Sequence, residues 1–250
     1  MLKKCLGLLT ILFILLLPVL SYTEDGKDVE DKDLSNKTVV FKQNYKVRFG
    51  MVPVGYITVT LYEDRDLYAV SVKANTTGIA DVVYPVRDKF LTFFKKDLTS
   101  FLKASISIRE GSYSRDEFME LKDGKLACRS GEKVIERDVG NKRIFDMVSA
   151  HFAFVLGMRK WRDYGEASNF YVSDCKKDIR PEVDYYGTST IKKGDKEIRV
   201  SQYALFLPVK GILLARSEDK KVYILLDEKD MWLVYSYIPT QWGNIHIEAE

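Results

Sequence analysis

The chain has 250 residues, of which 46% are hydrophobic and 30% charged, and a formal net charge of +3. That balance describes a globular chain, and its lysines and arginines are interspersed with acids. The basic stripe that nucleic acid requires is missing, so nucleic-acid binding is excluded. Residues 1–21, MLKKCLGLLTILFILLLPVLS, set two lysines before an apolar run and end on the small residues Val19 and Ser21 ahead of Tyr22. This is the three-part layout of a secretory signal peptide. The alternative is a retained membrane anchor, but the run is shorter than the ~20 residues a spanning helix needs, and Pro18 breaks the helix just before the cut. Export across an inner membrane is therefore expected, to the periplasm or the outer-membrane periphery, with Lys3 and Lys4 lost. Residues 22–37, YTEDGKDVEDKDLSNK, are charged and poor in large apolar groups, and read as a solvated linker. Residues 38–250 read as one β-rich domain, long enough for a single large core.

From Thr38 the pattern is period two. TVVFKQNYKVRF, YITVTLYED and LYAVSVKANTT are β-branched and aromatic-rich and are separated by Gly or Asp-rich breaks, and KFLTFFKK, SFLKASISIRE, SYSRDEFMELKDG, KLACRS and KVIERDV continue in the same way. Such spacing predicts a meander of antiparallel strands. Between Gly50 and Gly55 the sequence places Met51, Val52, Pro53 and Val54 where polar turn residues are usual. The glycines allow a sharp bend, and Pro53 restricts pairing to an edge or a bulge. Met51, Val52 and Val54 are then either covered, with the helix described next as the cover, or exposed as an apolar contact for lipid or protein. Further on, Tyr84, Arg87 and Asp88 set a phenol, a guanidinium and a carboxylate around Pro85. They form either a structural corner, with Arg87 paired to Asp88 or to a strand carboxylate, or a polar anchor at the mouth of a ligand cavity.

Alternation stops in FDMVSAHFAFVLGMRKW. Met147, Val148, His151, Phe152, Val155 and Met158 fall on a helical stripe, which predicts about three turns capped by Asp146, with Phe152 and Val155 in the core. Asp146, Ser149 and His151 do not make a catalytic triad, because Ser149 and His151 point about 200° apart on one helix. Strands then resume through SNFYVSD, EVDYYGTSTIK, KEIRVSQYALFLP, GILLARSED, KKVYILLDE, MWLVYSYIPT and GNIHIEAE. Asp227, Glu228 and Asp230 crowd one loop without the oxygen-rich surroundings Ca²⁺ needs, and His246 reads as an outward polar position. Cys128 and Cys175, the cysteines left after the signal, are either a disulfide, as an oxidising compartment favours, or two separate thiols. No metal-ligand spacing is present, and no cofactor is implied.

Five stretches together resemble a bacterial family known as domain of unknown function 3108. They are YKVRFGMVPVG, ANTTGIADVVYPVRD, REGSYSRDEFMEL, FDMVSAHFAFVL (with Met147 where the family has proline) and YILLDEKDMWLVYSYIPTQWGNIHIE (with Leu225 and Leu226 where it has Trp and Ser). The resemblance runs from about residue 40 to residue 250 and implies a secreted β-rich domain of Gram-negative bacteria, with no chemistry attached.

The expected architecture is mainly β: one strongly curved antiparallel sheet of about fourteen strands, barrel-like or folded as a sandwich, with one central α-helix packed on it. The expected function is non-enzymatic, the binding of a hydrophobic ligand or lipid in the cell envelope, with Met51, Val52, Val54, Tyr84, Arg87 and Asp88 as candidate ligand residues. Gly50, Gly55, Asp146, Phe152 and Val155 are assigned structural roles. The alternative is a scaffold binding an envelope protein or glycan. An enzyme ranks third, for want of paired acids or a nucleophile–base set.

Overall fold

Among the described residues, period-two alternation matures into sixteen strands. The computed structural model describes residues 34, 36–173, 175–206, 221–240 and 243–250. The signal peptide, nearly all of the linker and the strand expected at 211–219 lie outside these. The first eight strands are β1 (Thr38–Phe49), β2 (Val52–Asp64), β3 (Leu67–Thr76), β4 (Arg87–Lys95), β5 (Phe101–Glu110), β6 (Tyr113–Lys122), β7 (Lys125–Ser130) and β8 (Lys133–Asp138). A middle segment carries β9 (Ile144–Phe145), β10 (Tyr171–Ser173) and β11 (Asp178–Ile179), and the chain ends with β12 (Glu182–Lys193), β13 (Lys196–Phe206), β14 (Lys221–Asp227), β15 (Leu233–Thr240) and β16 (Gly243–Ala249). Three helices are described: α1 (Gly78–Val83), α2 (Met147–Trp161) and α3 (Tyr164–Ala167).

Thirteen strands form one sheet in the order β12-β13-β14-β15-β16-β1-β2-β3-β4-β5-β6-β7-β8, every neighbouring pair antiparallel. It does not close, since β12 and β8 are its two edges. Two meanders are thus joined by β16 lying against β1, with Arg48 opposite His246 and Val47 opposite Ile247. The short strands make a separate sheet, β11-β10-β9.

The sheet bends around α2. Thr92 on β4 donates to the Asp146 carboxylate at the start of α2 (2.6 Å), while Phe154 meets Tyr203 of β13 edge-on at 5.6 Å. On a flat sheet strands seven places apart would lie ~34 Å from one another, whereas Asp146 and Phe154 are ~12 Å apart along the helix. Side chains reaching down to a sheet do not span that difference. Register shifts at Val39/Phe41, Val47/Arg48, Phe93/Phe94 and Leu225/Leu226 supply local bends.

The main core lies between α2 and the inner face. Phe90 and Phe94 of β4, Ile106 and Ile108 of β5, and Phe152 and Val155 of α2 are all buried in it. On the other face of β3 and β4, Leu91 and Phe93 with Ala69 cover Leu34. Leu34 belongs to the stretch expected to be a solvated linker, and its burial shows that the end of that stretch packs on the sheet. A single helix was expected; α1 and α3 add to it. Residues 78–83, Gly-Ile-Ala-Asp-Val-Val, form α1 with none of its residues buried, although β-branched residues favour strands.

Candidate functional site

The bent sheet and α2 leave space between them. A cavity of about 220 Å³ results, roofed by Met147, Val148, Ala150, His151, Phe152 and Phe154 of α2. Its floor comes from strands on both sides of the β1–β16 seam: Phe41 and Tyr45 of β1, Ile57 and Val59 of β2, Val72 of β3, Val222 and Ile224 of β14, Ile238 of β15 and Ile247 of β16. Trp232, in the loop before β15, closes one side. The Phe41 ring stacks on it with centroids 3.9 Å apart, and Phe152 sits 6.4 Å away.

Few polar groups reach this space. Ser236 turns its hydroxyl to the Tyr223 carbonyl (3.1 Å), and burial pushes the Tyr45 phenol well above its ordinary range. His151 is half-buried and lines the cavity. Burial pushes its imidazole down to about 4, so the ring is neutral at pH 7. Among the described residues it makes ring contact with Phe152 and no hydrogen bond. The cavity is an apolar chamber with one neutral histidine in its roof. No sequence motif marks it, because its wall is drawn from strands far apart in the chain.

None of the six predicted ligand residues lines the cavity. Gly50 and Met51 form the turn of the β1–β2 hairpin, Gly50 at φ +57°. Val52 pairs with Phe49, so β2 begins three residues earlier than the glycine pattern implies. Helix α2 does not cover this tip: Met51 is 93% and Val52 61% exposed, and Val54 packs only partly against the core. Of the two readings of the tip, exposure holds and covering does not, because α2 is held over the middle of the sheet by Asp146 and its aromatic contacts. Gly55 is glycine for a steric reason, since a β-carbon there would lie 2.2 Å from the Asn75 carbonyl oxygen of β3. Beside the tip, Thr77 donates its N–H to the Val54 carbonyl (3.1 Å), and α1 begins there with Ile79 84% and Val82 85% exposed.

The Tyr84–Arg87–Asp88 trio also separates. Tyr84 lays its ring over Gly111. Arg87 forms a two-pronged ion pair with Asp81 of α1 (2.7 and 2.9 Å), not with Asp88 or a strand carboxylate. Asp88 points inward and is buried next to Glu110, also buried. Asp88 Oδ1 accepts from the Arg109 N–H (2.9 Å), whereas Asp88 Oδ2 and both Glu110 oxygens meet no N–H or O–H donor. A proton held between Asp88 Oδ2 and one Glu110 oxygen partners two of these three. Burial pushes both carboxyls up, and the Asp88 charge adds to the push on Glu110. Unfolded carboxyls ionise near pH ~4, so this pair's contribution is complete below that point and is lost as pH rises through neutrality. Glu110→Gln should therefore remove part of the fall in melting temperature between about pH 5 and pH 8. Wild-type and variant melting curves with the same pH slope would refute the shared proton.

Elsewhere, Asp227 accepts from the N–H groups of Lys229 and Asp230 in its own turn (2.8 and 2.9 Å), Glu228 pairs with Arg199 (2.6 Å), and His246 bonds the Tyr235 hydroxyl (2.5 Å). Cys128 and Cys175 form a disulfide with Cα atoms 5.9 Å apart.

The family described as "Protein of unknown function (DUF3108)" matches residues 44–250. No curated protein matches the sequence. Among solved structures, a β-barrel-like protein of domain of unknown function DUF1849 from Brucella abortus is similar, with a TM-score of 0.55 over 84% of this chain and 94% of that one, at 8% identity. A likeness at that identity speaks for the fold alone.

Proposed function

The chain belongs to the family of proteins of unknown function DUF3108, and from that premise we propose that it is a non-enzymatic binding protein of the cell envelope that holds a hydrophobic ligand. The supporting observation is the apolar cavity between α2 and the inner face of the sheet. At about 220 Å³ it exceeds the ~150 Å³ chamber that takes up benzene and falls short of the ~300–1,000 Å³ of a drug-sized pocket. On the benzene scale it accepts about nine carbons, a short chain or the end of a longer one. The predicted signal peptide favours the periplasm or the outer-membrane periphery, and a lipid is the abundant hydrophobic partner there.

The test fills the chamber. Ala150 is buried on α2 and faces it. Ala150→Leu should raise stability by up to ~1 kcal/mol, as cavity filling does, and weaken n-octanol binding by about tenfold or more. A stable variant that binds n-octanol as well as the wild type would exclude the cavity as the ligand site.

A second reading, a scaffold for an envelope protein, is favoured by the exposed apolar side chains of Met51, Val52, Ile79 and Val82 around the β1–β2 tip. On that reading Ala150→Leu leaves partner binding untouched.

A further inference from the structure

On its far side Trp232 borders a second space. A cleft of about 390 Å³ lies between the last turns of α2 and the β2–β3 end of the sheet, with Trp232, Glu63, Lys96, Arg159 and Lys160 among its walls. The Arg159 guanidinium sits over the Trp232 ring, 4.9 Å from its centroid. Phe41 stacks on the same indole from the cavity, so Trp232 is common to the walls of an apolar space and a cationic one.

Charge in the cleft does not balance. Lys96 is paired with Glu63 (2.5 Å). Arg159 and Lys160 contact aromatic rings, and neither has a carboxylate partner among the described residues. Three cations against one acid, at the exposed end of a hydrocarbon-lined cavity, are complementary to a molecule with an anionic head and an apolar tail.

We propose that the ligand is an anionic amphiphile, a fatty carboxylate or a lipid phosphate, with its head among Lys96, Arg159 and Lys160 and its tail passing Trp232 into the cavity under α2. This rests on the cavity reading and deepens it. Arg159 presents a planar fork suited to either head group.

Calorimetric titration of the full chain with n-octanol, sodium octanoate and n-octyl phosphate tests the assignment. At least one anion should bind about tenfold or more tightly than n-octanol, the factor that one charge-assisted hydrogen bond supplies, and the advantage should shrink with added salt. The anion that gains more identifies the head group as carboxylate or phosphate. Arg159→Gln with Lys160→Gln should bring both anions down to the n-octanol value and leave n-octanol itself unchanged; these residues are exposed, so the fold is retained. Equal affinity for all three wild-type probes would overturn the head-group site while leaving the apolar cavity intact. A preference that survives the double substitution would also overturn it. Failure of every octyl probe to bind would remove the cavity reading itself.

Discussion

Asp146→Ala should lower stability by about 3–5 kcal/mol, several times the ~1 kcal/mol of an ordinary helix cap. The Asp146 carboxylate is buried. Its Oδ1 accepts from the backbone N–H groups of Val148 and Ser149 (3.0 and 3.3 Å), which is the capping role the sequence announces. Its Oδ2 accepts from the Ser149 hydroxyl and from Thr92 of β4. Burial pushes the carboxyl up while these donors pull it back. Alanine strands the Val148 and Ser149 N–H groups where water does not readily follow, and leaves the Ser149 and Thr92 hydroxyls, Thr92 itself buried, only the longer bonds to the Asp146 and Lys103 carbonyls (3.2 and 3.5 Å). It also cuts the one side-chain hydrogen bond described between the start of α2 and the sheet. Urea denaturation measures the loss, and Asp146→Asn, which keeps an acceptor, should recover much of it. A cost near 1 kcal/mol would mean that the contact with Thr92 contributes nothing.

Breaking the Cys128–Cys175 disulfide should cost about 2–4 kcal/mol. The bond closes a loop with a sequence separation of 47, for which the chain-entropy estimate is ~4 kcal/mol. It fastens β7 to the segment between β10 and β11, and a polar group reinforces the same junction: Arg137 of β8 reaches the Cys175 carbonyl (3.2 Å), the Ser173 hydroxyl (2.5 Å) and Asp178. Cys128→Ser with Cys175→Ser should therefore melt several degrees lower, and a reductant should lower the wild-type melting point similarly while leaving the variant unmoved. An identical melting point for wild type and variant would show that the arginine cluster alone holds the junction.

The strands were legible because β-branched and aromatic residues alternate with polar ones, and α2 because that alternation stops around FDMVSAHFAFVL. Helix α1 was not, since Ile79, Val82 and Val83 carry a strand-like composition and none is buried. For the hairpin tip the sequence leaves covering and exposure open, and covering follows the rule that apolar residues go inside. That rule runs one way only, and Met51 is exposed. The candidate site was hidden for a different reason. Each wall residue of the cavity is an ordinary inward strand residue, and the space arises from curvature, which no local pattern encodes. Asp88 and Glu110 likewise resemble surface carboxylates until the β4–β5 register places them on one face. Trp232 follows an acidic turn, Asp227 to Asp230, and no pattern around it marks the indole.

The β1–β16 seam sets an order of assembly. Lys46 pairs with Glu248 across it, and Arg48 bonds Glu248 over a separation of 200 positions. A meander can zip from neighbour to neighbour as it emerges, but β1 keeps one side unpaired until residues 243–249 have been made. Non-local pairings of this span slow folding and leave strand edges open to wrong partners. In a nascent chain β1 and β2 are therefore a waiting template. A nascent chain that pauses before its last strand would present that edge to any extended segment nearby.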